Sequence, residues 1–216
     1  MSNSSNGGES NDGIKRINSH ISIRLEKFRT YIEITRAAKI LRRYFVMNAF
    51  DGAMTSLGIV IGAYITHISD PGAVIGVIMV GGMAMAVSGF AGTYMAESAE
   101  RSRSLRELED AMFVNLENSI HGEASRFVSL FAALVDGSAP FLASLPSIFP
   151  FALVMMDMVP TPIAFLASTA ASLVILFLLG VFLGRISEGN ILYSGIKMVM
   201  AGIFVTLIAL LINGGL

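Results

Sequence analysis

Five long apolar runs dominate the chain, at residues 44–66, 72–96, 127–150, 161–184 and 190–213. Each is long enough to cross roughly 30 Å of hydrocarbon at about 1.5 Å per residue, so the pattern predicts an all-α integral membrane protein with five transmembrane helices. The third run carries Pro140, Pro146 and Pro150, which predicts a broken or kinked helix. Ahead of the first run, Ile14, Ile17, Ile21, Leu25, Phe28 and Ile32 recur at steps of three and four with Lys and Arg between them. Residues 14–43 therefore read as a basic amphipathic helix, lying on an anionic membrane surface or packed on the rest of the protein. Residues 1–13 are Ser, Asn and Gly with two acids, the composition of a disordered tail. They have neither the basic start nor the apolar core of a signal peptide. Residues 97–126 are acidic and helix-forming, and predict a cytosolic helix between the second and third spans.

Composition agrees with that reading and narrows it. Hydrophobic residues make up 54% of the 216 positions and charged ones 14%, well below the roughly 25% charged of soluble domains. One transporter-sized domain, residues 44–216, accounts for the length and leaves no room for a second folded unit. Cysteine is absent, which excludes disulfides, zinc–thiolate sites and iron–sulfur clusters. A formal net charge of −1 gives no reason to expect a nucleic-acid partner. Every Lys and Arg falls within residues 15–43 or 101–126, or is Arg185 or Lys197. With five spans all of these lie on one side, and the positive-inside rule predicts an N-in, C-out topology.

Against this apolar background the acids stand out. Asp51 lies within the first span, where a charge costs between about 2.5 and more than 10 kcal/mol unless it faces a partner, a cavity or a pathway. Thr55, Gly58 and Gly62 follow it at helical spacing, giving a polar seam on one face. On the second span Met85, Gly89, Thr93, Glu97 and Glu100 form another stripe. Glu97 is read either as an i,i+4 partner of Arg101 or as an ion-handling group at the membrane boundary. Asp136, beside Gly137 and Pro140, is a second acid at membrane depth, on an ion pathway or capping a helix break. Lys197 either snorkels to the interface or serves as counter-ion to an acid. In the acidic segment Glu107, Asp110, Glu117 and His121 share a face near Glu100. Such a set is a solvated helix face or a site for a hard or borderline divalent ion such as Mn²⁺ or Fe²⁺. No phosphate-binding loop, nucleophile elbow or His-Glu-x-x-His motif is present, and no enzymatic activity is expected.

Four segments together resemble the vacuolar iron transporter family: Asp51-Gly-x-x-Thr-x-x-Gly, Ala91-Gly-Thr-Tyr-Met-Ala-Glu-Ser, Gly137-Ser-Ala-Pro, and Leu176-Phe-Leu-Leu-Gly-Val-Phe-Leu-Gly-Arg185. The likeness runs from about residue 43 to the C-terminus. It implies a homodimer in the membrane that moves Fe²⁺, and often Mn²⁺, out of the cytosol in exchange for protons. By that resemblance Asp51 matches the pathway aspartate of the first span, and Met83 and Met85 fall near a pathway methionine. Glu100, Glu107 and Glu117 correspond to a shortened cytosolic metal-collecting region. Two positions depart from the family: Gly92-Thr93-Tyr94 stands where many members have Gly-Glu-Tyr, and the cytosolic insertion is short.

The resulting expectation is a divalent-metal transporter with an ion pathway along Asp51, Thr55, Met85, Thr93, Glu97 and Asp136. Metal would be gathered by Glu100, Glu107, Asp110, Glu117 and His121. The metal is cargo, no prosthetic group is expected, and a prokaryotic plasma membrane is the expected location. The competing expectations are a non-transporting membrane metal sensor or scaffold, and a membrane-embedded metal-dependent enzyme.

Overall fold

The computed structural model describes residues 37–116 and 119–214, and among them every regular element is helical. The helices are α1 (Ala37–Ile65), α2 (Pro71–Met112), α3 (Ile120–Met155), α4 (Thr161–Ile186) and α5 (Ile191–Gly214). All five are long and apolar enough to cross a membrane. Their ends are set by local chemistry. Asp70 accepts the Gly72 amide at 2.9 Å, with Pro71 at the first helical position of α2. Ser119 accepts the Gly122 amide at the start of α3. At four helix exits His67, Phe113, Asp157 and Glu188 adopt left-handed φ between 53° and 56°, which lets the following amide fold back onto the last turn. The chain thus reverses at each short connection.

Three expectations change. First, α1 already includes residues 37–43, the end of the stretch read as an amphipathic helix. The remainder of that helix and the disordered tail lie outside the described residues. Second, among the described residues no separate helix covers 97–126. α2 runs on unbroken for 42 residues, about 63 Å, twice the thickness of a hydrocarbon core. α2 ends at Met112, and α3 begins at Ile120 and returns alongside it. The acidic segment is therefore the far end of α2 and the beginning of α3. Third, α3 is a single 36-residue helix despite Pro140, Pro146 and Pro150. Serine hydroxyls reach several of the carbonyls of this stretch: Ser138 bonds Val135 O, Ser144 bonds Phe141 O and Ser168 of α4 bonds Ser147 O. These bonds fall beside the carbonyls of Asp136, Leu142 and Pro146 that the prolines leave without an amide donor, in a stretch enclosed by neighbouring helices, a setting in which membrane helices tolerate proline.

α3 sits at the centre, packed on α1, α2 and α4, and α5 packs mainly on α4. Ala53, Leu57, Ala139, Ala143 and Leu176 form one apolar core between α1, α3 and α4. Val60, Val74, Ile78, Phe151 and Phe165 form a second core toward the α1–α2 and α3–α4 turns. Two glycines near Asp136 allow close backbone approaches. A Cβ at Gly52 would overlap the backbone of Pro140, and one at Gly137 would lie 2.6 Å from Ala86 O. α1 and α2 are thereby pressed against α3 on either side of Asp136. All described Lys and Arg residues fall at the bundle end that holds the α1 N-terminus, while His67, Asp70 and Asp157 lie in the turns at the other end.

Candidate functional site

Between α1, α2 and α3 the polar side chains form hydrogen-bonded tiers. Glu97 is 8% exposed. Its Oε1 accepts from Tyr44 Oη at 2.8 Å and its Oε2 from Arg101 Nε at 3.0 Å. The i,i+4 pair with Arg101 is therefore real, and it is buried rather than solvated. One turn deeper on each helix stand Asn48, four residues after Tyr44, and Thr93, four before Glu97. Both reach across to Asp136, which is 3% exposed. Asn48 Nδ2 donates to Oδ1, and Thr93 Oγ1 donates to Oδ2 at 2.5 Å. Asp136 thus joins three helices and caps no break.

Deeper still, the hydroxyls of Ser56, Ser147 and Ser172 link α1, α3 and α4 at 3.1 and 2.8 Å, all three nearly inaccessible. Beyond them the Phe151–Phe165 core closes the interior. Among the described residues no buried side-chain nitrogen or oxygen lacks a partner. Polar groups at membrane depth are stable only when matched in this way.

Asp51 is placed differently. It lies fourteen residues from either end of α1, at the helix midpoint, and its side chain faces outward from the single chain. Thr55 is also exposed, and a Cβ on Gly58 or Gly62 would meet nothing within 4 Å. The polar seam read in the first span is therefore a strip on the outer surface, ending in a bare Gly-x-x-x-Gly patch. Met85 is half-buried and Thr93 and Glu97 are buried, whereas Met83 is 56% exposed.

The acidic residues at the end of α2 and the start of α3 are not gathered within one chain. Glu100, Glu107, Asp110 and His121 are exposed. Glu107 accepts from Arg103 at 2.9 Å, and Glu109 accepts the Leu116 amide at 2.6 Å. Glu117 lies outside the described residues. Among those described, no three His, Asp or Glu side chains converge on one point. Among the described residues Lys197 meets no acid; its ammonium sits 4.4 Å above the Tyr193 ring.

Tyr44, Asn48 and the buried serines had not been singled out as site residues. The available signal was polarity within an apolar span: Tyr44, Asn48, Asp51 and Thr55 form a run of polar positions at steps of three and four. No family model and no solved structure matches this chain. It is 31% identical over 174 residues to "Uncharacterized protein MJ0645" of Methanocaldococcus jannaschii, an alignment covering 79% of this chain and 87% of the archaeal protein. At that identity over most of both chains, this protein belongs to the same family as the archaeal protein.

Proposed function

We propose that this protein is a divalent transition-metal transporter, acting as a homodimer and carrying Fe²⁺ or Mn²⁺ out of the cytosol in exchange for protons. The observation that carries the proposal is Asp51, a carboxylate at the midpoint of a membrane-length helix that faces away from its own bundle. Facing lipid, it would cost several kcal/mol. A second copy seated on the Asp51–Thr55–Gly58–Gly62 strip removes that cost, because small residues let the two backbones approach. The pair of copies then sets two carboxylates and two hydroxyls around one axis. That is an oxygen-rich, acidic lining suited to a hard or borderline divalent cation.

The resemblance to vacuolar iron transporters supports the same ion class and direction. The clustering of Lys and Arg at the α1 N-terminal end supports an N-in topology, and the membrane we propose is a prokaryotic plasma membrane. In that orientation the far end of α2 and the start of α3 project into the cytosol. Glu100, Glu107, Asp110 and His121 there, with Glu117, form a diffuse acidic surface that raises the local cation concentration. Glu97 stands at the inner boundary. To bind an ion it must exchange the Tyr44 or Arg101 bond for metal, which makes it a gate rather than a high-affinity site. Proton coupling follows from competition, since a carboxylate that takes up a cation gives up its proton.

The test is Fe²⁺ and Mn²⁺ flux in proteoliposomes with an imposed pH gradient. We expect gradient-driven flux from the wild type and its near-complete loss in Asp51→Asn, which keeps shape and removes charge. Undiminished flux in that variant, or none from folded, inserted wild type, overturns the proposal.

A further inference from the structure

A second feature lies at the basic end, on the outer face between α1, the last turn of α4 and the first three turns of α5. It is an open cavity of about 660 Å³, within the roughly 300–1,000 Å³ of sites that hold organic ligands. Four cations border it, Lys39, Arg42 and Arg43 from α1 and Lys197 from α5, and among the described residues no acid lines it. Arg43 lies over the Tyr44 ring at 5.5 Å and Lys197 over the Tyr193 ring at 4.4 Å. These contacts orient the cations without neutralising them. From this rim the cavity runs toward the bundle middle over an apolar floor of Val46, Phe50, Met198 and Ala201.

We propose that the cavity binds one anionic phospholipid, its phosphate among Arg42, Arg43 and Lys197 and an acyl chain along the apolar floor. A charged head over an apolar stem is the chemistry that both halves of the site require at once. Basic pockets between membrane helices at the cytosolic face recognise lipid head groups in this manner. The other available occupants fit poorly. Residues 14–36 of the chain carry six basic residues against Glu26 and Glu33, so this segment would add like charge. A two-fold copy seated on the cavity would set four cations against four. An inorganic anion would leave the apolar floor unfilled. The site does not depend on the transport reading, and it adjoins Glu97 through Tyr44.

The chain contains no tryptophan, so one introduced residue reports on each location. Ile186→Trp marks the cavity. Leu166→Trp, at an α4 position where the leucine is 73% exposed toward the opposite end, marks bulk lipid. Each variant is reconstituted in bilayers containing brominated phosphatidylglycerol or brominated phosphatidylcholine, and fluorescence quenching gives relative affinities. We expect about a ten-fold preference for phosphatidylglycerol at position 186 and none at position 166. Adding Arg43→Gln and Lys197→Gln should remove the preference at 186 and leave quenching at 166 unchanged, which also shows that the protein is inserted. Equal preferences at the two positions, or a preference that survives the charge substitutions, overturns the proposal. Relief of quenching by millimolar inorganic phosphate would assign the site to a free anion instead. A position 186 that neither lipid quenches, while 166 is quenched, would mean that protein covers the cavity.

Discussion

At the scale of single residues the decisive contrast is between two aspartates on facing helices. Asp136 has both oxygens engaged, by Asn48 and Thr93, and Asp51 faces outward. The first is a joint between helices, and the second is free of such bonds among the described residues. If Asp136 is a joint, removing one donor leaves a buried carboxylate short of a partner, at a cost of about 1–3 kcal/mol. Thr93→Val should therefore lower unfolding stability in detergent by that amount. The same substitution in an Asp136→Leu background should cost close to nothing, because the acceptor is gone. The cycle isolates the pair, which couples by roughly 1–2 kcal/mol if the bond matters. A full Thr93→Val penalty in the Asp136→Leu background would mean that Thr93 acts through packing alone.

Between elements, backbone contact controls the spacing. α3 touches α1 and α2 at Gly52 and Gly137, where added carbon would strike backbone rather than a movable side chain. Gly137→Ala gains helix propensity of about 1 kcal/mol but forces α2 and α3 apart, an overpacking penalty of about 1–3 kcal/mol. Gly76→Ala, on an open face of α2 where nothing lies within 4 Å, gains the propensity without the clash. Thermal unfolding should therefore show the first variant destabilised and the second stabilised. Shifts of the same sign would remove the close-approach account. This packing also explains what a reading of the chain can reach. The five spans were legible because burial in hydrocarbon writes itself into each segment separately. The partners of the acids were not, since Asn48 and Asp136 are 88 residues apart, Thr93 and Asp136 are 43, and Tyr44 and Glu97 are 53. Helical periodicity says which residues share a face and nothing about which face meets it. Pro140, Pro146 and Pro150 show the same limit: the local rule allows a break or a kink, and the helix is continuous through all three. Glu97 with Arg101 was legible because both partners lie on one helix.

For the whole molecule, the outward surface of the described membrane-length stretches is mostly apolar, as a lipid-facing surface should be, and most of α5 is open to it. The α1 strip is the exception, since it sets a charge at mid-depth beside two bare glycines. A membrane protein lowers its free energy by covering such a strip, and the simplest cover is an identical strip related by a two-fold axis, which brings each residue near its own copy. The absence of cysteine makes the arrangement directly measurable. Thr55→Cys, one turn from Asp51 on the exposed face, should form a disulfide-linked dimer when membranes are oxidised, because a two-fold axis along the strip brings the paired Cα atoms within the roughly 7 Å that a disulfide spans. Leu166→Cys, on the outward face of α4, should remain monomeric under the same treatment. Cross-linking should survive dilution of the protein in lipid if the dimer is specific, and fall with dilution if it reflects collision. Equal yields at both positions would leave Asp51 facing lipid or a different protein, and the shared metal path would lose its physical basis.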